Sequence, residues 1–405
     1  AGKKIKSAIA RMRSANLLQA VLNEDWQNGG FGIYVHWPFC AAKCPYCDFN
    51  SHVSDKIVEK QWVTSYLVEL DRLFQTIGSR PLKTVFFGGG TPSLMSPELV
   101  DQILSKIFSL WPRSNDLEVS LEANPTSVEA GRFNGYQQAG VNRISLGVQA
   151  LNDADLKRLG RLHSVKEAHL AFDISRNTFD RVSFDLIYAR QNQTLTDWRS
   201  ELGQALSMAV DHVSLYQLTI EQGTAFGDRY AIGKLSGLPN EDLGADLFEA
   251  TQDICGEFGF PAYEISNHTK NGAECPHNMV YWRYGDYAGI GPGAHGRLTI
   301  NGQRRATAAF RNPEDWLEAV RQGCSYETNE LLSPKDQATE YLVMGLRINE
   351  GIDQARYRAL SGCDLDPEKI SILVDQGLIS DTNNTISASQ RGRPVLNHII
   401  RELAG

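Results

Sequence analysis

From residue 31 onward, short β-rich runs alternate with helical patterns, and this alternation constrains the fold of the 405-residue chain more than any other feature. The runs fall at 32–36, 82–87, 117–122, 143–148, 181–187 and 212–218, each ending in a polar or glycine-rich tip. Amphipathic segments at 58–77, 97–110 and 197–208 lie between them. Strands alternating with helices imply parallel β-α-β units, because a parallel neighbour is reached only by a crossover long enough to hold a helix. The fold class expected is α/β: a partial (β/α)6 barrel over residues 28–262, with its site at the carboxyl ends of the strands.

The tips carry chemistry in series. The first strand runs into Cys40, Cys44 and Cys47, three of the seven cysteines, in a Cys-x3-Cys-x2-Cys spacing. Three thiolates on one loop select zinc or an iron–sulfur cluster. A structural zinc needs a fourth ligand, for which His36 and His52 are the local candidates. A 4Fe–4S cluster held by three cysteines leaves one iron open for a ligand. The second strand ends at Gly88, Gly89, Gly90, Thr91 and Pro92, where a backbone without side chains can approach a ligand closely. Glu122 and Asn124, Gln149, Asp185 and Gln217 end the remaining four. Glu122 or Asp185 can accept from ribose hydroxyls or an ammonium group, and Arg161 can grip a carboxylate in bidentate fashion. Taken singly, such residues are more often tight turns or surface ion pairs. Six in series at one end of successive strands point to a shared mouth.

Composition narrows the function. The net charge of −8 argues against a general nucleic-acid surface, which needs clustered Lys and Arg. Cys255, Cys275, Cys324 and Cys363 are scattered, as in a reducing compartment. No run of about 18 apolar residues appears. The expectation is a soluble, cytoplasmic protein. Residues 1–27 form a basic extension in which Ile5, Ile9 and Met12 share a helical face. Such a helix suits peripheral contact with an anionic membrane, or a remnant of mitochondrial targeting. An extension packed outside the domain, or disordered, is the plainer expectation.

The cysteine spacing with Tyr46 before the third cysteine, followed by Gly-Gly-Gly-Thr-Pro, resembles the radical S-adenosylmethionine (SAM) superfamily. The likeness runs from about Tyr34 to the carboxyl end. It implies that the open iron of a 4Fe–4S cluster on Cys40, Cys44 and Cys47 is chelated by SAM, which one electron cleaves to methionine and a deoxyadenosyl radical. Segments around Tyr34, Glu122, Gln149, Arg161 and Asp185 are similar to the oxygen-independent coproporphyrinogen oxidase group. By that resemblance Tyr34, Tyr46, Gly89, Gly90, Thr91, Glu122, Gln149, Arg161 and Asp185 contact SAM. In the decarboxylating oxidases some of these positions serve a second SAM, so the number bound stays open.

Two departures separate the chain from true oxidases. Phe49 stands where they carry a fourth cysteine, and His277, Asn278, Tyr281 and Trp282 resemble the His-Asn-x-x-Tyr-Trp signature of the HemW-type haem chaperones. The resemblance implies haem binding and transfer to client proteins such as respiratory enzymes, with an electron donor reducing the cluster. His277 is then the expected axial ligand, flanked by Tyr281 and Trp282; a lone buried histidine is otherwise usually a core residue. An oxidase, or another radical enzyme acting on a tetrapyrrole, is the alternative, and whether the chain is an enzyme stays open. The segment around Gly289, Gly291, Gly293 and His295 is a further glycine-rich approach to the mouth. A connecting segment is expected at 263–311. A mainly helical carboxyl-terminal domain follows at 312–405, with helices at 313–322, 334–346, 366–376 and 394–402 and a β-wing at 378–386.

Overall fold

The computed structural model describes residues 25–54, 57–128, 130–270 and 272–405. β1 (Phe31–Trp37), β2 (Leu82–Gly89), β3 (Arg113–Ala123), β4 (Arg143–Gln149), β5 (Arg181–Tyr188) and β6 (His212–Gln217) lie side by side in chain order, every neighbouring pair parallel. The crossovers carry α1 (Glu59–Ile77), α2 (Pro97–Leu110), α3 (Ala130–Ala139), α4 (Val165–Thr178) and α5 (Leu195–Met208). Local chemistry starts several of them. Ser96 accepts from the Leu99 amide with Pro97 in the first turn. Ser164 with Glu167, and Thr194 with Asp197, form capping boxes that satisfy amide groups left open at helix starts.

The period of two along β1 separates two environments. Phe31, Ile33, Val35 and Trp37 are at most 1% exposed and pack in the main core. Gly32, Tyr34 and His36 alternate onto the other face, in register with Thr84, Phe86 and Gly88. That concave face is rich in polar groups, among them Thr84, Glu118, Ser120, Arg143, Ser145 and Ser183.

The sheet extends beyond the six expected strands and does not close. β7 (Asn267–Thr269) runs antiparallel on β6. On the other side β8 (Asp286–Ile290) is parallel to β1, followed by antiparallel β9 (His295–Ile300), β10 (Gln303–Ala309) and β11 (Tyr326–Leu331). The order is β11-β10-β9-β8-β1-β2-β3-β4-β5-β6-β7. The segment read as a connection therefore supplies sheet, and β11 lies inside the stretch expected to be helical. β11 is half-buried or exposed along its whole length, so it lacks the alternating pattern that marks a strand in sequence.

Beyond the sheet, α6 (Glu241–Glu257) follows β6, α7 (Pro276–Trp282) precedes β8, and α8 (Pro313–Gln322) packs on α1. A second core, including Leu342, Ile352, Leu373, Ile386 and Ile399, joins α9 (Pro334–Gly345), α10 (Gln354–Ser361), α11 (Pro367–Asp375) and α12 (Leu396–Ala404). The expected wing is present as β12 (Ile352–Asp353), β13 (Ile379–Thr382) and β14 (Thr385–Ala388), with β14 central. Among the described residues no helix is long and apolar enough to cross a membrane. Asp25 and Trp26 are buried: Asp25 pairs with Arg356 at 2.8 Å, and Trp26 lies under the Arg80 guanidinium. The last residues of the expected extension thus belong to the folded unit. Ile5, Ile9 and Met12 lie outside the described residues.

Candidate functional site

β1 delivers the cysteine loop directly above the concave face. All three thiols are free and half-buried. Hydrogen bonds reach the sulfurs: Thr91 Oγ1 lies 3.4 Å from Cys40 Sγ, Arg161 Nη1 donates to Cys44 Sγ at 3.3 Å, and Phe49 and Ser51 act on Cys47. Burial is the main influence on Cys40 and Cys47, pushing both thiols up. Among the described residues no three His, Cys, Asp or Glu side chains close around a point that would take one metal ion. His36 does not complete a zinc site: its Nε2 donates to the Asn50 carbonyl at 2.9 Å and its Nδ1 accepts from Tyr34 at 3.0 Å. His52 is turned to Asn50 Oδ1 at 3.3 Å.

The loop is held at both ends by groups whose roles the sequence does not announce. Asn50 Nδ2 donates to the carbonyls of Pro292 and Arg311, at 3.0 and 2.9 Å, tying the loop exit to the glycine-rich segment before β9 and to the turn after β10. A Cβ on Gly293 would sit 2.3 Å from that amide, and one on Gly291 2.5 Å from the His36 carbonyl. The segment expected to approach the mouth does so by clamping this exit. On the other flank the Phe226 amide donates to the Pro45 carbonyl at 2.8 Å, and Tyr46 packs near the Phe226 ring. No local pattern marks Asn50 or Phe226, since each meets the loop only through a long-range contact.

The glycine tip fits closely around the loop. The Gly90 amide donates to Trp37 O and the Thr91 amide to Phe39 O, at 2.7 and 2.8 Å. Gly89, at φ +110°, donates its amide to Glu122 at 3.2 Å, and a Cβ there would meet the His36 ring at 2.5 Å. Arg161 bridges two tips, its Nη2 reaching the Gly147 carbonyl at 2.8 Å while Nη1 holds Cys44. Gln149 takes φ +71°, a costly conformation for a side chain with a Cβ. Gly89, Glu122 and Gln149 thus stand at the ends of β2, β3 and β4, Tyr46, Gly90, Thr91 and Arg161 on the loops beyond strands, and Tyr34 and Asp185 within β1 and β5.

Two carboxyls share this basin. Burial first, then the Asp185 charge, raises Glu122 to about 8. Burial raises Asp185 to about 6, against hydrogen bonds from Ser214 and Ser145. A carboxyl with a folded pKa above its unfolded one binds its proton more tightly in the fold, so its contribution is full below the unfolded value and declines as pH rises toward the folded one. Without ligand, stability is therefore expected to fall between about pH 4.5 and pH 8, with Glu122 the larger contributor. Glu122→Gln should flatten that slope in thermal melts at pH 5 and pH 8. An unchanged slope would discount the buried carboxyl as its source.

α7 places His277 on the concave face, its ring 6.3 Å from that of Tyr34. α7 packs against β1, β2 and β8 on the concave side. His277 is 1% exposed, with Nδ1 2.7 Å from Thr84 Oγ1 and Nε2 2.7 Å from the Tyr281 hydroxyl. Its ring stacks on Phe86 at 5.0 Å, and Gly32 leaves room for it: a Cβ there would lie 2.4 Å from Thr84 and 3.3 Å from His277. Burial, then the Arg143 charge, lowers His277 to about 3, so it is neutral. Both ring nitrogens are hydrogen-bonded within the fold. Trp282 packs with Tyr263, Met279 and Ile348, under the Arg347 guanidinium at 4.9 Å.

A parallel sheet with a three-cysteine loop on its first strand, facing a glycine tip and an arginine, is the architecture of a radical SAM protein. The family model for the Radical SAM superfamily matches residues 34–201, and that for the HemN C-terminal domain matches 332–395. The chain is 36% identical to Heme chaperone HemW of Escherichia coli (strain K12), over 91% of this chain and 96% of that one. It is also 36% identical to the mitochondrial radical S-adenosyl methionine domain-containing protein 1 of Bos taurus, over 92% and 86%. The crystal structure of coproporphyrinogen III oxidase (HemN) from Escherichia coli superposes with a TM-score of 0.77 at 20% identity, covering 94% and 92%, a likeness of fold. The chain belongs to the HemW family of the radical SAM superfamily.

Proposed function

We propose that this protein is a haem chaperone, which binds haem for delivery to client proteins such as respiratory enzymes and holds a 4Fe–4S cluster and SAM at its strand tips. The observation that carries the reading is the 36% identity to a protein named Heme chaperone HemW, over nearly the full length of both. Phe49, 57% exposed, stands where an oxidase would have its fourth cysteine, which weighs against turnover of a porphyrinogen.

The donor set fits the cluster. Cys40, Cys44 and Cys47 would ligate three irons, and the hydrogen bonds from Thr91 and Arg161 suit sulfurs that carry negative charge. Tyr34, Tyr46, Gly89, Gly90, Thr91, Glu122, Gln149, Arg161 and Asp185 would line the SAM site. There Glu122 and Asp185 can accept from an ammonium or ribose hydroxyls. When bound and reduced, the cluster supplies one electron to the sulfonium, so an electron-donor protein is implied. No catalytic residue is assigned. An acidic chain with free thiols suits a reducing compartment, the bacterial cytoplasm or a mitochondrion, and offers no general site for nucleic acid.

The decisive experiment is anaerobic reconstitution followed by haem titration, with and without SAM, and incubation of the reduced protein with coproporphyrinogen III. Stoichiometric haem binding without formation of protoporphyrinogen is expected; its formation would refute the chaperone reading. Arg161→Gln should also lower the cluster midpoint by tens of millivolts in an EPR-monitored redox titration, because a hydrogen bond to a ligating sulfur favours the reduced state. An unmoved potential would mean that the Arg161 to Cys44 bond is not kept when the cluster is present.

A further inference from the structure

The tip of β4 is irregular. Leu146 pairs with Phe184 on β5 and Gln149 with Leu186, so β4 advances three residues while β5 advances two, and Gly147 and Val148 form a bulge. A bulge disrupts the ladder, and its backbone groups need partners from elsewhere. One short segment, 160–164, supplies two of them. Arg161 Nη2 donates to the Gly147 carbonyl at 2.8 Å, and His163 Nε2 donates to the Val148 carbonyl at 3.0 Å. Beyond the bulge Gln149 takes φ +71°. Its side chain folds back, so that a Cβ on Gly147 would lie 3.1 Å from Gln149 Nε2 and 3.3 Å from Arg161 Nη2. We propose that His163 is a positioning residue: by fastening the Val148 carbonyl it holds Gln149 in its left-handed conformation, with the amide beside Arg161. The proposal rests on the SAM-binding reading above, in which Gln149 and Arg161 line the site, and adds a residue that acts through them.

The surroundings of His163 favour this role over packing alone. The residue is 4% exposed, and a carbonyl only accepts, so Nε2 carries the proton and Nδ1 keeps a lone pair. That Nδ1 has no hydrogen-bond partner among the described residues, a cost that a leucine in the same place would not carry. What the imidazole offers against that cost is the donor aimed at Val148. Burial, then the Arg161 charge, lowers His163 to about 4, so the ring is neutral at physiological pH. The segment that carries it is fixed on both sides. The Arg161 amide donates to the Leu156 carbonyl at 2.8 Å, Ser164 caps α4 in its box with Glu167, and the Val165 amide donates to Asp153 at 2.7 Å. Gly160, at φ +69°, lies so close to the cysteine loop that a Cβ there would come 2.5 Å from Pro45 Cδ. A left-handed glutamine persists only where its surroundings impose it. Here the carbonyl just before it is held from a rigid neighbour.

SAM titrations of the reconstituted, reduced full chain, read from the change SAM makes in the EPR spectrum of the cluster, supply the test. His163→Leu removes the donor and should weaken SAM binding about tenfold, with iron content and the SAM-free spectrum as in the parent. His163→Gln restores an N–H donor of similar reach and should bind within about twofold of the parent. Gln149→Ala should lose about as much as His163→Leu, and the double variant should lose no more than Gln149→Ala alone, because the histidine acts through the glutamine. Losses that multiply in the double variant, or a His163→Leu protein that binds SAM as the parent does, would overturn the proposal and leave the SAM site standing. Where His163→Leu takes up no cluster, His163→Gln decides: parent-like affinity upholds the donor, and a weakened one overturns it. A parent that binds no SAM removes both the proposal and the reading beneath it.

Discussion

His277→Ala is expected to lower the stability of the fold by about 3 kcal/mol. The imidazole is 1% exposed and stacked on Phe86, so truncation leaves a cavity. It also removes both hydrogen bonds and leaves the Thr84 and Tyr281 hydroxyls unpaired in the interior. Urea unfolding monitored by circular dichroism measures the loss. Unchanged unfolding would remove the role of His277 in the packing of α7.

Cys44→Ala is expected to abolish the iron–sulfur cluster. Two thiolates hold a four-iron cluster far less well than three, and the same change takes the acceptor from Arg161. Iron and sulfide content after anaerobic reconstitution, with the visible charge-transfer absorption, reads the result. Cys324→Ser is the control, because that thiol is exposed and remote in sequence from the loop. A full iron complement in Cys44→Ala, or an equal loss in Cys324→Ser, would overturn the assignment of the loop.

Periodic features were legible in the sequence. Six strands, most of the helices and the wing each pay their way in apolar pattern, so composition along the chain locates them. Strands without that pattern were not. β8 comes late in the chain and adds beside β1, and β11 is polar on both faces, so neither its place nor its partner follows from local periodicity. The site divided likewise. Residues on consecutive tips of parallel strands converge because of the topology, so a reading of their order brought Glu122, Gln149, Arg161 and Asp185 to one mouth. Asn50 and Phe226 act through contacts far along the chain, and nothing beside them in sequence marks those partners.

The sequence by itself determined the α/β class, the direction of the sheet and the end at which Cys40, Cys44 and Cys47 stand, because each follows from local spacing and the geometry of a right-handed parallel crossover. Only the tertiary structure decided the surroundings of His277. A histidine next to aromatic residues reads alike whether its nitrogens face a ligand or a neighbour. Here a glycine on β1 and a threonine on β2 make room for the ring and take up one nitrogen, and a tyrosine one turn along α7 takes up the other. What a side chain is free to bind depends on which hydrogen bonds the fold has already formed with it.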